Sequence, residues 1–199
     1  MSSDIEICNI ALSRIAVTSA ITSFTERSKE AEQCRVFYAP LRDLVLQAFP
    51  WPFAESSVAL ADIGSPAPGW RYRYRYPANC LKVRDIVQPG WRGPLTADQE
   101  IPYKVGYDTG GRVIHTDQPE AVCRFTFRVE DSTFFDPQFA DVLAWRLAMD
   151  LALPLSARQE LQQFAAQQYQ MALTIAEGSA FEESQDSPEP ESEFITVRA

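Results

Sequence analysis

Apolar residues recur at helical spacing through the first 50 residues of the chain. The first predicted helix covers residues 4–15, with Ser3 as its cap and Glu6 at the spacing of a capping box. The second covers residues 28–49 and ends at Pro50-Trp51-Pro52. Because a proline removes a backbone donor and crowds the preceding turn, Pro40 should kink or divide this helix near residue 39.

Between residues 56 and 130 the apolar period becomes alternating, and Gly and Pro separate short runs rich in aromatic and β-branched residues. These runs predict an antiparallel sheet. Its six strands are expected at residues 57–63, 70–76, 81–87, 103–107, 112–115 and 122–129.

Helical spacing returns at Pro137, where apolar residues surround most of the predicted helix. They are Phe139, Val142, Leu143, Trp145, Leu147, Ala148, Met149 and Leu151. Such a helix needs apolar cover on several sides. It is therefore either the central helix of a bundle or partly covered by another subunit.

The last predicted helix begins with Ser156 and Gln159 at capping-box spacing and ends at Gly178. Its predicted buried face consists of Leu161, Phe164, Ala165, Ala172, Ile175 and Ala176. Residues 179–199 are rich in Glu and Pro, a composition that cannot build a core, and they are expected to form an extended acidic arm. The run 194–197 within it is a candidate strand or anchor for a neighbouring chain.

The order of these elements predicts an α+β fold. Helices from both ends form one bundle, an antiparallel β subdomain is inserted between them, and the extended C-terminal arm follows. The predicted divisions are residues 1–54 and 133–178 for the bundle, 55–132 for the β subdomain and 179–199 for the arm.

Composition is that of one compact domain. With 199 residues, 46% of them hydrophobic, the chain can bury a sizeable core without metal or disulfide. Its four widely spaced cysteines are expected to be reduced core residues. The opening residues lack the features of a secretory signal, and no run of 18 apolar residues follows, so we expect a soluble intracellular protein.

The net charge of −9 disfavours stable binding to nucleic acid, which requires clustered Lys and Arg to displace counterions. An acidic surface would still suit a protein that nucleic acid passes without adhering, because like charges repel over about one Debye length.

Motifs that carry chemistry are absent from the sequence: there is no phosphate loop, nucleophile elbow or metal-ligand spacing. His115 with Asp117 has the residue types of a base and its orienting acid, but an exposed turn histidine is the favoured interpretation. Asp98 and Glu100 have the types of an acid–base pair or cation site, and a solvated loop is favoured. We therefore expect no enzymatic activity, no cofactor and no metal.

The most conspicuous local pattern is the alternation of Arg and Tyr in residues 70–76. On a strand it places the arginines on one face and the tyrosines on the other. A nucleic-acid platform is one interpretation, with phosphates on the arginines and bases on the tyrosines. The favoured one turns the tyrosines toward the core or a neighbour and pairs the arginines with acids.

Four segments, in order along the chain, resemble the head-to-tail adaptors of tailed bacteriophages known as tail tubular protein A. They are residues 8–15 (CNIALSRI), 48–54 (AFPWPFA), 72–81 (YRYRYPANCL) and 139–148 (FADVLAWRLA). These segments mark a scaffold, and none of them is a catalytic signature.

The resemblance implies a non-enzymatic subunit that forms a ring, expected to be twelve-fold, between the portal protein and the tail tube or nozzle protein. DNA would pass through its centre without specific binding. The expected location is the head–tail interface of the virion, and the host cytoplasm during assembly, with no membrane contact. A nucleic-acid-binding module built on residues 70–76 is the alternative.

Several residues are candidates for contacts in such an assembly. The candidate partner-binding residues are Tyr72, Arg73, Tyr74, Arg75, Trp145, Phe181, Phe194, Ile195 and Val197. Trp51 and Phe53 are expected to lock the junction between the helices and the sheet.

Overall fold

The computed structural model describes residues 3–93 and 95–183, and the fold is α+β. Along the chain, two helices precede the six strands and two helices follow them. The elements are α1 (Asp4–Arg14), α2 (Lys29–Ala48), β1 (Glu55–Ala59), β2 (Tyr72–Arg75), β3 (Cys80–Val87), β4 (Tyr103–Asp108), β5 (Gly111–Thr116), β6 (Val122–Phe127), α3 (Pro137–Ser156) and α4 (Gln159–Glu183).

The strands form two three-stranded antiparallel sheets, which we call the first sheet (order β1-β6-β3) and the second sheet (order β2-β5-β4). The chain crosses between them after β1, where the N–H of Ile63 donates to the carbonyl of Arg73. Apolar side chains from both sheets share a core of their own, as in other packed pairs of sheets. It consists of Tyr74, Cys80, Val83, Ile86, Ile114, Ala121, Cys123 and Phe125.

The helical bundle is built around α3, which packs against α1, α2 and α4. Its central side chains, Phe139, Val142, Leu143, Leu147 and Leu151, are all fully buried. Of the two predicted explanations for its apolar surface, the central position in a bundle is confirmed. The apolar content of α3 therefore gives no reason to invoke a second subunit.

Helices α2 and α4 differ from their predictions. Of the two predicted effects of Pro40, a kink or a division near residue 39, the division does not occur, because α2 runs unbroken through Pro40. Pro40 and Val36 both lie on the exposed side, where water can bind the carbonyl that lacks a partner. Helix α4 continues past Gly178 to Glu183, and Ser156 belongs to the end of α3, where its hydroxyl donates to the carbonyl of Ala152.

Two other predictions are confirmed. Ser3 and Glu6 form the capping box at the start of α1. All four cysteines are buried and unpaired.

Trp51 occupies the junction between the bundle and the first sheet. Its side chain is 3% exposed, and its ring lies edge-on to Phe139 at 5.1 Å and to Phe49 at 5.3 Å. The indole N–H donates to the carbonyl of Val45 at 2.9 Å, in the last turn of α2. Phe53 also packs on Phe139, with ring centroids 5.1 Å apart.

Arg84 of β3 joins the first sheet to the C-terminal end of α2. Its Nη2 donates to the carbonyls of Leu46 at 3.2 Å, Gln47 at 3.3 Å and Phe49 at 2.7 Å, while its Nε donates to the hydroxyl of Thr126. The last turn of α2 contains no basic residue of its own. A strand residue thus satisfies carbonyls that every helix end leaves unpaired and places a positive charge at the negative end of the helix dipole.

We predict that Arg84→Met lowers the free energy of unfolding by about 2 kcal/mol, because the carbonyls of Leu46 and Phe49 lose their donor. Lys82→Met is the control: exposed Lys82 donates only to Gln47, and its loss should cost under about 0.5 kcal/mol. Urea denaturation measures both. Equal losses would contradict the role assigned to Arg84.

Candidate assembly surfaces

The outer side of α4 exposes three large apolar side chains. Phe164 is 47% exposed, Met171 57% and Ile175 65%, and their spacing of seven and four residues places them on one side of the helix. We call these three residues the α4 apolar face. Prediction placed Phe164 and Ile175 on the buried side, and both placements are wrong.

The most deeply buried residues of α4 are small, and Leu161, Tyr169 and Leu173 pack beside them. Ala165 and Ala176 are each 1% exposed, and they bring α4 close to the bundle. Apolar residues occupy more than half of the circumference of this helix, so the spacing alone allows either side to face the core. Met171 was not among the candidate residues; its only sequence signal is its spacing from Phe164.

The second sheet carries a row of basic side chains on its outer side. Strand register places Arg73 of β2 opposite His115 of β5, and His115 opposite Lys104 of β4. Arg75 lies two residues beyond Arg73 on the same side of β2. We call Arg73, Arg75, Lys104 and His115 the arginine face.

The tyrosines of β2 point the other way, as the favoured interpretation predicted. Tyr74 is 1% exposed within the core between the sheets, and its hydroxyl donates to the carbonyl of Gln118 at 2.8 Å. Tyr72 is half-buried and stacks on Tyr74, with ring centroids 6.0 Å apart. The prediction that Tyr74 contacts a partner is therefore wrong, and its ring cannot stack on a base.

Asp108 is the acid that pairs with the arginine face among the described residues. Arg75 donates to its carboxylate at 3.0 Å, and Arg73 lies 3.9 Å away. The hydrogen bond from Arg75 is the main cause that lowers the pKa of Asp108. The Nε of Arg73 is buried and has no hydrogen-bond partner in the described part of the chain, so this group is incompletely satisfied.

His115 lies at the centre of the row. Its Nδ1 accepts the N–H of Ala67 at 3.5 Å, so the neutral ring carries its proton on Nε2. Burial is the main cause that lowers the pKa of His115, and the charges of Arg73 and Lys104 lower it further. The ring is therefore uncharged at neutral pH.

The positions of His115, Asp117, Asp98 and Glu100 do not favour the two catalytic alternatives. Asp117 accepts the N–H of Arg71 at 2.9 Å, while His115 bonds to a different group, so the two residues do not form a dyad. Asp98 and Glu100 are exposed at the edge of a cavity of about 430 Å³ that His115 does not line. A hydrogen bond from Thr96 lowers the pKa of Asp98, the opposite of what a general acid at neutral pH requires.

Trp145 is held within the chain. The guanidinium of Arg14 lies 4.0 Å above its ring, and Phe164 packs edge-on at 6.0 Å. These contacts favour a packing role over the predicted partner contact. Phe181 belongs to α4, but its side chain is not described, and Phe194, Ile195 and Val197 lie outside the described residues.

Comparison with known proteins adds no assignment. A scan against protein-family models matched no family, and a search of curated proteins found no matching sequence. Within residues 3–93 and 95–183, no helix combines the length and apolar content needed to cross a membrane, and no three His, Cys, Asp or Glu side chains form a group that could hold a metal ion.

We predict that His115 makes stability fall on mild acidification. Its folded pKa lies below the ordinary value of 6.5, so the unfolded chain takes up the proton more readily as the pH falls below that value. Arg73 and Lys104 disfavour the proton, and Asp108, which remains ionised, offsets them in part. His115→Gln should therefore lose less stability than the wild type between about pH 7.5 and pH 5.5 in urea denaturation. Equal losses would show that His115 does not contribute.

Proposed function

We propose that the chain is a structural subunit of the head-to-tail adaptor of a tailed bacteriophage. Its copies form a ring, expected to be twelve-fold, that joins the portal protein to the tail tube or nozzle protein around the DNA channel. The four segments that resemble tail tubular protein A in their order support this proposal, and they span residues 8–148.

The α4 apolar face is the observation that carries the proposal. Large apolar side chains grouped on one exposed side of a helix are typical of protein–protein interfaces. In a ring, each contact joins one face of a subunit to a different face of the next copy. The α4 apolar face would therefore pack on another surface of the neighbouring subunit.

The negative charge of the chain is unevenly distributed. The β subdomain, residues 55–132, contains ten basic and ten acidic residues, so it carries no net charge. Residues 182–199 contain six of the 27 acids and one of the 18 basic residues, which leaves 21 acids and 17 basic residues in the rest of the chain. Residues 182–199 thus carry a net charge of −5, which is more than half of the net charge of −9.

A nucleic-acid-binding module is the second candidate, and the arginine face is the observation that favours it. The buried ring of Tyr74 removes base stacking, so such a module would contact phosphates alone. Binding of a DNA duplex at low salt, with a salt dependence reduced by Arg73→Ala, would support it. No binding at low salt would exclude it.

We predict that Met171→Glu combined with Ile175→Glu weakens assembly by about tenfold or more, because a ring contact would have to bury two charges. The control is Gln163→Glu combined with Gln170→Glu, which adds the same charges on another exposed side of α4. Light scattering of the full chain, alone and with the portal protein, measures the assembly, and circular dichroism checks the fold.

The adaptor proposal fails if the wild-type chain keeps the mass of a 22.4 kDa monomer at every concentration and with the portal protein present. The role of the α4 apolar face fails separately if both double variants assemble like the wild type.

A further inference from the structure

We propose that the arginine face binds the acidic C-terminal segment, residues 182–193, of a second copy of the chain. This inference rests on the proposed function, because it names a contact that would hold neighbouring subunits of the ring together.

The arginine face brings hydrogen-bond donors from three strands together. Arg73, His115 and Lys104 lie in register on neighbouring strands, so their side chains are adjacent on one side of the sheet. Gly106 lies beside them without a side chain; a Cβ there would be 3.2 Å from the Nε2 of His115. The missing side chain leaves a gap beside the Nε2 of His115, whose side chain is otherwise buried at 8% exposure.

The cations of this surface outnumber its acids, which favours binding of an anion. Three cations, Arg73, Arg75 and Lys104, face one carboxylate, Asp108, and both arginines share that carboxylate. Arg73 and Lys104 flank the uncharged ring of His115, so the strand between them supplies no opposite charge at this position. Carboxylate oxygens match the guanidinium and ammonium groups, and hydrogen bonds between charged groups are the strongest of their kind.

The C-terminal segment supplies carboxylates in a suitable arrangement. It contains Glu182, Glu183, Asp186, Glu189, Glu191 and Glu193, and no basic residue before Arg198. The last three acids recur at every second position, so an extended chain would present them on one side.

The segment is also long enough. Ten residues, 184–193, follow the end of α4 and can span about 33 Å when extended. The three strands of the second sheet measure about 10 Å across, at roughly 4.8 Å between neighbours. The segment can therefore cross the whole row and still leave residues to reach from one subunit to the next.

Nucleic acid fits the same face less well. The tyrosines that would stack on bases are turned into the core, and Asp108 would repel a phosphate backbone. A duplex carries one negative charge per about 1.7 Å of its axis. Acids at every second residue of an extended chain lie about 7 Å apart, so a bound segment brings fewer charges near Asp108.

The test measures binding of a fluorescent peptide, residues 182–199, to the full chain that carries Glu189→Gln, Glu191→Gln and Glu193→Gln, so that its own segment does not compete. We expect binding that weakens with salt. Adding Arg73→Gln and Lys104→Gln should weaken it by about tenfold. Arg92→Gln and Arg158→Gln, which remove two exposed cations elsewhere, should leave the affinity unchanged.

Two results would overturn the proposal: no peptide binding at low salt, or equal affinities for the arginine-face variant and its control. Binding of a labelled DNA duplex to the same variants shows whether the face binds phosphate groups of DNA instead of peptide carboxylates. If the arginine-face variant loses DNA binding and keeps peptide binding, the face is a phosphate site and the proposal is wrong.

A charge exchange tests whether the contact joins two copies. One variant carries Arg73→Glu and Lys104→Glu, and the other carries Glu189→Lys, Glu191→Lys and Glu193→Lys. Each alone should assemble poorly, and their mixture should assemble like the wild type in light scattering. If only a single chain with all five substitutions recovers, the contact lies within one copy and the proposal is overturned.

These readouts separate the two proposals. Rings that form without any peptide binding would leave the adaptor function standing and remove this contact. Peptide binding by a chain that never assembles would remove the adaptor function and leave an arginine face that binds the acidic peptide.

Discussion

Helix α3 buries apolar side chains around most of its circumference, and α1, α2 and α4 supply the cover. This demand shapes the rest of the bundle. Ala165 and Ala176 of α4 lie against the bundle, together with the partly buried Leu161. Phe164, Met171 and Ile175 lie beside this packed side and stay exposed, with Phe164 at its edge against Trp145. The covering of α3 and the exposure of the α4 apolar face are thus two consequences of one packing arrangement.

A second core between the two sheets could move relative to the bundle if nothing fixed it. The C-terminal end of α2 provides the connection, because Trp51 and Arg84 donate to carbonyls that the helix itself leaves unpaired. The aromatic contact of Trp51 with Phe139 extends this connection to α3. The first sheet, which shares a core with the second sheet, is thereby attached to the bundle.

The sequence predicts the positions of the elements well, because the relevant signals are local. Ser3 and Glu6 mark the start of α1, and Pro137 marks the start of α3. The division of the strands into two sheets could not be predicted, since alternation identifies a strand but not its partner. The sheet to which a strand belongs is decided by strand pairing, and strand pairing depends on residues far apart in the chain.

The candidate surfaces show the same limit. Alternation in residues 70–76 correctly separates arginines from tyrosines, yet only the register reveals that Arg73, His115 and Lys104 form one row. On α4, the predicted buried face correctly includes Ala165 and Ala176 and wrongly includes Phe164 and Ile175. Apolar residues occupy so much of this helix that hydropathy does not mark the edge of the buried face, which is decided by close packing against the bundle.

Electron microscopy of the full chain with the portal protein shows whether copies associate through the α4 apolar face. We expect rings with a central hole for the wild type and for Gln163→Glu with Gln170→Glu, and dispersed subunits for Met171→Glu with Ile175→Glu. Dispersed wild-type subunits at every concentration, or intact rings of the Met171 and Ile175 variant, would contradict this association.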